Sequence, residues 1–160
     1  MRTALLAILL SCVPASTALA MTRDVKTLTL DGARQVAAAA ESEARRRSWD
    51  VAIAVVDPDG GLIVVHRMDG VQHASLDSAI EKARTSARFR RASKAMAEAV
   101  GRGVVGLVGT DGMLMMAGAL PVTVDGVVVG AVGISGMTGA QDAEIAAAGI
   151  AALQIDTPRR

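Results

Sequence analysis

Two histidines, His66 and His73, are the only imidazoles in the 160-residue chain. Imidazole is the commonest side-chain metal ligand, and its charge changes near neutral pH. If residues 62–67 form a strand, His66 shares a face with Leu62, Val64 and Met68. There a neutral ring nitrogen could meet a metal in an apolar lining. The alternative is a half-buried histidine hydrogen-bonded to a neighbour, as buried polar side chains usually are. His73 falls in a loop, where imidazoles are commonly solvated but where function also concentrates. Two histidines cannot build a three-histidine zinc site. Arg67 offers a planar fork for a carboxylate. It can equally pair with Asp69 to close the turn before Gly70.

Other chemistry is weaker. Ser135-Gly136-Met137-Thr138-Gly139 precedes a helical pattern, so its backbone N–H groups could hold an anion, with helix capping by Thr138 as the alternative. Met113, Met115 and Met116 have thioethers suited to Cu(I), or they simply fill core. Lys82, Arg84, Arg88, Arg90, Arg91 and Lys94 read as a solvated, ion-paired face, with an oligomer contact or a docking face for an acidic partner as the functional alternative. Spacing gives no nucleophile–His–acid trio, no phosphate loop and no pair of carboxylates for acid–base work. No catalytic residue is assigned, and binding ranks ahead of enzymatic activity.

The elements that must position these groups follow from period and punctuation. Asp31 to Arg47 predicts a helix, with Thr29 as N-cap and Arg45-Arg46-Arg47 at its C-terminal end. Val51 to Val56, the turn Asp57-Pro58-Asp59-Gly60-Gly61 and Leu62 to Arg67 predict a β-hairpin covered on both faces. Ser75 to Phe89, with Ser75 as cap, and Ser93 to Val100 predict two helices. Met113 to Met116 predicts a short strand. Leu120 to Val124, Asp125-Gly126 and Val127 to Ile134 specify a type I′ hairpin, with Gly130 and Gly133 marking close backbone approach. Gln141 to Leu153 predicts a closing helix, and the tail from Asp156 should fray. The order favours an α+β layer fold with five antiparallel strands over a βαβ sheet.

Residues 1–20 read as a cleavable signal peptide. Arg2 forms the basic region, Ala4 to Leu10 the apolar region and Ala18-Leu19-Ala20 the cleavage site. The run is shorter than the about 20 residues a membrane anchor needs. Leu9-Leu10-Ser11-Cys12 is an alternative lipoprotein box, and Met21 an alternative start that would leave a cytoplasmic product. Otherwise the product is periplasmic or secreted. Residues 21–160 form one domain. The lone cysteine, Cys12, lies in the signal, so the mature chain has no internal disulfide or catalytic thiol. Acids and bases balance after residue 20, and the aromatics are Trp49 and Phe89. Nucleic acid is therefore not an expected partner. No later segment is apolar for long enough to span a membrane.

Combined order is more specific than any one motif. Val51-Ala52-Ile53-Ala54-Val55-Val56-Asp57, Gly61-Leu62, Arg67-Met68-Asp69-Gly70, Ser75, Ala79 and Lys82-Ala83-Arg84-Thr85 are followed by Gly118, Pro121-Val122, Asp125-Gly126, Val129 to Gly136 and Asp142. This pattern resembles the GlcG/HbpS, or haem-degrading-domain, family over about residues 27–153, and is similar to the C-terminal domain of PduO-type cobalamin adenosyltransferases. The resemblance implies a profilin-like fold, with a five-stranded antiparallel sheet and helices on both faces. It implies homo-oligomers, often octamers, and haem or a related tetrapyrrole as ligand. A sensor or transport protein is the implied partner. It settles no reaction, so haem breakdown, small-organic-acid chemistry or a scaffold role stay open. Under the resemblance His66 or His73 is the candidate haem-iron ligand, while Arg67 and Ser135 join them as candidate binding residues. The chain departs from the family at Ala119, where a second glycine is common, at Met137, and through residues 101–117.

Overall fold

An unbroken apolar run has to be covered on both sides, and Val51 to Val56 is the run that organises this chain. The computed structural model describes residues 21 and 23–153. The proposed signal peptide and the tail from Asp156 lie outside these residues. Ala52–Val56 forms β1, a central strand buried at every position. The elements run α1 (Leu30–Arg46), β1, β2 (Leu62–Arg67), α2 (Ala74–Phe89), α3 (Ser93–Gly101), a short 3-10 helix (Val105–Gly109), β3 (Ala119–Val124), β4 (Val127–Ser135) and α4 (Gly139–Ala151). All strand pairs are antiparallel, in the order β2-β1-β4-β3.

The sheet has four strands among the described residues, not five. Met113 to Met116, expected as a strand, is irregular. Gly101, Gly103, Gly106, Gly109 and Gly112 crowd the chain before it. Glycine has no side chain to pack on a pleated surface and loses the most backbone freedom on ordering, so it disfavours a strand. Thr85 Oγ1 instead donates to the Leu114 carbonyl at 3.0 Å, fixing the segment across α2.

Alternation along β1 sends its side chains into two cores. Ile53 and Val55 meet Val36, Ala37 and Ala40 of α1, with Ile145 and Ala146 of α4 nearby. Ala52, Ala54 and Val56 meet Ala79, Ala83 and Ala87 of α2. Three alanines four apart make a flat stripe on α2, so the helix lies close against the sheet. At Gly133 in β4 a Cβ would overlap the backbone of Ala79 and Ala83. That explains the glycine in an otherwise β-rich strand.

Local signals place the ends. Thr29 Oγ1 accepts from Gly32 N at 3.1 Å and caps α1. Asp125 and Gly126 have φ of 51° and 76°, as the type I′ turn requires. Ser75, expected as a cap, is buried one residue inside α2, and His73 takes the N-cap position without a side-chain capping bond. No described helix is long and apolar enough to cross a membrane.

Candidate functional site

β2 is an edge strand, and its alternation separates two expected site residues. His66, opposite Ile53 in β1, turns toward α1. Arg67 turns the other way, and its Nη1 lies 3.5 Å from His73 Nδ1 at the start of α2. The structure therefore joins Arg67 to His73 and not to His66. Both members of that pair are exposed. Among the described residues Arg67 makes no ion pair with Asp69, so the expected turn-closing pair is absent.

Ser135 is also apart. It is buried at the end of β4, paired with Ala52. Side chains of the helix that follows, and of its cap, satisfy three backbone donors after it. Met137 N donates to Asp142 Oδ1 at 3.0 Å, Thr138 N to Gln141 Oε1 at 3.2 Å, and Gln141 N to Thr138 Oγ1 at 3.4 Å. The capping box and the Asp142 carboxylate thus occupy three of the amides that an anion would use.

His66 has the most organised surroundings. Its Nδ1 is 2.7 Å from Glu41 Oε2, and the ring is one-third exposed. Arg45, one turn after Glu41 on α1, grips Oε1 of the same carboxylate through Nε at 2.9 Å and Nη2 at 2.7 Å. One carboxylate thus orients both an imidazole and a guanidinium. Nε2 of His66 has no hydrogen-bond partner among the described residues. A carboxylate on one ring nitrogen fixes the tautomer and raises the basicity of the other, the arrangement that supports metal-ligating histidines.

Arg45 also lines an open cleft of about 310 Å³ with Ser48, Trp49, Asp50 and Met68. The guanidinium of Arg47 sits 4.8 Å from the Trp49 ring centre and is tied to Glu43 and Glu144. Gly70 borders Asp50 so closely that a Cβ would strike its carboxylate. The cleft therefore combines a cation, a carboxylate, an aromatic ring and a thioether, and Arg45 connects it through Glu41 to the oriented imidazole of His66. Sequence reasoning singled out His66, with Met68 only as a neighbour on its strand face, and missed Glu41, Arg45, Trp49 and Asp50. Glu41 and Arg45 were visible only as an i,i+4 pair. Among the described residues, no three His, Cys, Asp or Glu side chains cluster as a metal site.

The hydrogen bond from Arg45 holds the Glu41 carboxyl below its ordinary range; burial opposes it, and the His66 contact adds a smaller lowering. A depressed folded pKa adds stability above pH 4.5 that is lost as pH falls through the folded value. Glu43, gripped by Arg46 and Arg47, is lowered to about 2 and acts with the same sign. We expect wild type to lose thermal stability below pH 4.5 more steeply than Glu41→Gln, with both melted from pH 6 to 2.5. Parallel profiles would show that the contact is not formed in solution.

A second charged group lies under the sheet. Lys82, expected on a solvated face, is buried on α2 at 3% exposure. Its Nζ donates to Asp142 Oδ2 at 2.9 Å and to the Ile134 carbonyl at 3.1 Å. Asp142, on α4, is fully buried. Burial pushes its carboxyl up, and Lys82 and the Met137 amide offset only part of that. Lys82 sits beside Ala79 and Ala83, so the alanine stripe carries it inward. The pair is 60 residues apart in sequence.

Fold and site define a small α+β protein with an antiparallel sheet and an open cleft lined by Arg45, Trp49, Asp50 and Met68. The chain belongs to the family described as haem degrading protein HbpS-like, which matches residues 28–151. It is 42% identical to Protein GlcG of Escherichia coli strain K12 over 103 residues, 64% of this chain and 77% of that protein. It is similar to the crystal structure of a double mutant of Streptomyces reticuli HbpS, with a TM-score of 0.81 and 32% identity, covering 91% of this chain and 99% of that one. A crystal structure of a PduOC:heme complex matches with a TM-score of 0.74 and 26% identity, covering 83% of this chain and 99% of that one.

Proposed function

We propose that the protein binds haem and holds it for buffering, sensing or delivery, with His66 as axial ligand to the iron. The observation that carries this reading is the imidazole of His66 held by Glu41, whose other oxygen holds Arg45 at the cleft. A proximal histidine is the usual protein ligand of haem iron. Arg45 would face a propionate, and Trp49 and Met68 would pack on the macrocycle. The haem-complexed neighbour and the family description support the ligand class. His73 with Arg67 is the alternative ligand set, on the opposite side of β2.

Titration of the protein with hemin tests both. Wild type should give a shifted Soret band at micromolar protein. His66→Ala should weaken binding at least tenfold, and His73→Ala should leave it nearly unchanged. The reverse order moves the ligand to His73, and no Soret shift in wild type rejects haem binding. Haem breakdown is the second reading, prompted by the family description. It requires the Soret band to disappear, with release of iron, when reductant and oxygen are supplied.

Self-association belongs to the same reading. Val104, Val105, Val108 and Met116 are exposed apolar residues on one glycine-rich stretch, the kind of surface that marks an interface. Light scattering should report a species larger than a monomer. Export through cleavage after Ala20 completes the proposal, and N-terminal sequencing of the periplasmic or secreted protein should begin at Met21.

A further inference from the structure

The basic stretch of α2 lies on the other side of the sheet from the cleft, and the haem reading makes no use of it. Arg84 and Arg88 stand one turn apart. Arg84 Nε donates to the Gly60 carbonyl at 3.2 Å, and Arg88 Nε to the Asp59 carbonyl at 2.8 Å. The two acceptors belong to consecutive residues, whose Cα atoms are about 3.8 Å apart. The guanidinium groups are therefore held as neighbours by one loop, the β1–β2 turn. That loop is fixed from within, since Asp57 Oδ1 accepts from Asp59 N at 2.9 Å and from Gly61 N at 2.8 Å. Gly60 has φ of +90°, and a Cβ there would lie 3.0 Å from Arg88 Nε and 3.1 Å from Arg84 Cγ. A side chain at this position would press on both arginines and strain the turn.

Each Nε is thus occupied by a backbone carbonyl. Among the described residues the Nη groups have no hydrogen-bond partner. The nearby carboxylates in sequence and on the adjoining loops are Asp57, Asp59, Glu81 and Asp111, and none forms an ion pair with either arginine. Like charges one turn apart on a helix repel. Here neutral carbonyls hold them together without a counter-ion. Arg90, Arg91 and Lys94 follow on the same stretch and raise the local positive potential.

We propose that Arg84 and Arg88 form an oxyanion site that takes a phosphate group, independent of the haem cleft. Two forks present several N–H donors, and a phosphate dianion has the charge and the oxygens to bridge them. A single carboxylate satisfies only one fork. The phosphate can be free or carried as a monoester on a small molecule.

The test is thermal melting of the full chain in inorganic phosphate at constant ionic strength, set by chloride, with phosphorus NMR of the phosphate signal in parallel. Wild type should show a saturable rise in Tm and a protein-dependent shift of the signal. Arg84→Gln and Arg88→Gln should each lose more than half of both responses, and the double variant should lose them. Gly60→Ala keeps both charges but crowds the two side chains and strains the turn that holds them, and it should weaken the response. Circular dichroism checks that each variant folds. Equal responses in wild type and the double variant would reduce the effect to general salt and overturn the site. Binding of polyglutamate but not of phosphate would assign the face to an acidic protein and overturn it too. Replacing inorganic phosphate by a phosphate monoester distinguishes the two sources.

Discussion

Lys82→Met is expected to destabilise the protein by about 3–5 kcal/mol, the usual result of stranding one buried charge. The change deletes the ammonium and leaves Asp142 fully buried with only the Met137 amide on Oδ1. Domains of this size are stable by about 5–15 kcal/mol, so the loss is a large part of the total. Urea unfolding at pH 7 measures it. The second half of the prediction is more specific. The double variant Lys82→Met, Asp142→Leu should recover most of the loss, because a buried pair replaced by apolar groups is often neutral. The Asp142 carboxyl supports this, as its pKa is raised by burial in spite of the lysine. A raised folded pKa adds stability below the ordinary aspartate range, and that stability falls as pH rises through the folded value. The ionised aspartate is therefore tolerated rather than stabilising. A double variant as unstable as Lys82→Met alone would refute this reading.

Gly133→Ala is expected to cost about 3 kcal/mol, the upper part of the range for overpacking a core. One methyl group would enter the backbone of Ala79 and Ala83, which cannot rotate away. The helix must lift, and Lys82, between those alanines, would be drawn from the Ile134 carbonyl. Unfolding midpoints should show the loss, and hydrogen exchange should rise along α2 before α1. Gly126→Ala is the control. Its Cβ would meet nothing within 4 Å, so only the strain of its positive φ remains. A loss at Gly133 no greater than at Gly126 would mean that the close approach does not exist.

These two residues show which parts of the fold were legible. Gly133 was readable, because a glycine inside a β-rich run signals close contact. Asp125-Gly126, Thr29 and the Val51 to Val56 run were readable because each is a signal carried within its own segment. Lys82 was not. Arg84 and Arg88 made its segment look solvated, and its partner lies in another helix. Its position beside the Ala79, Ala83, Ala87 stripe was the signal that would have placed it inside. The fifth strand was expected because Met113 to Met116 is apolar, but the glycines before it deny that segment a pleated surface. At the site, His66 was picked out by type and strand face. Glu41 was not, because 25 residues separate it from the ring it orients. Arg67 and His66 are adjacent in sequence, yet the strand sends them to opposite sides.

The two cores confer different freedoms. Against α2 the sheet offers alanine and glycine, and the helix backbone nearly touches the strands. Against α1 it offers isoleucine and valine, and space remains at the rim for an open cleft. Sequence change is therefore confined unequally. A library randomised at Arg45, Ser48, Trp49 and Asp50 should return mostly folded clones, because none of these side chains is fully buried. A library at Ala79, Ala83 and Gly133 should return almost none. New ligand preferences can arise on the α1 side while the α2 side holds the sheet in one fixed shape.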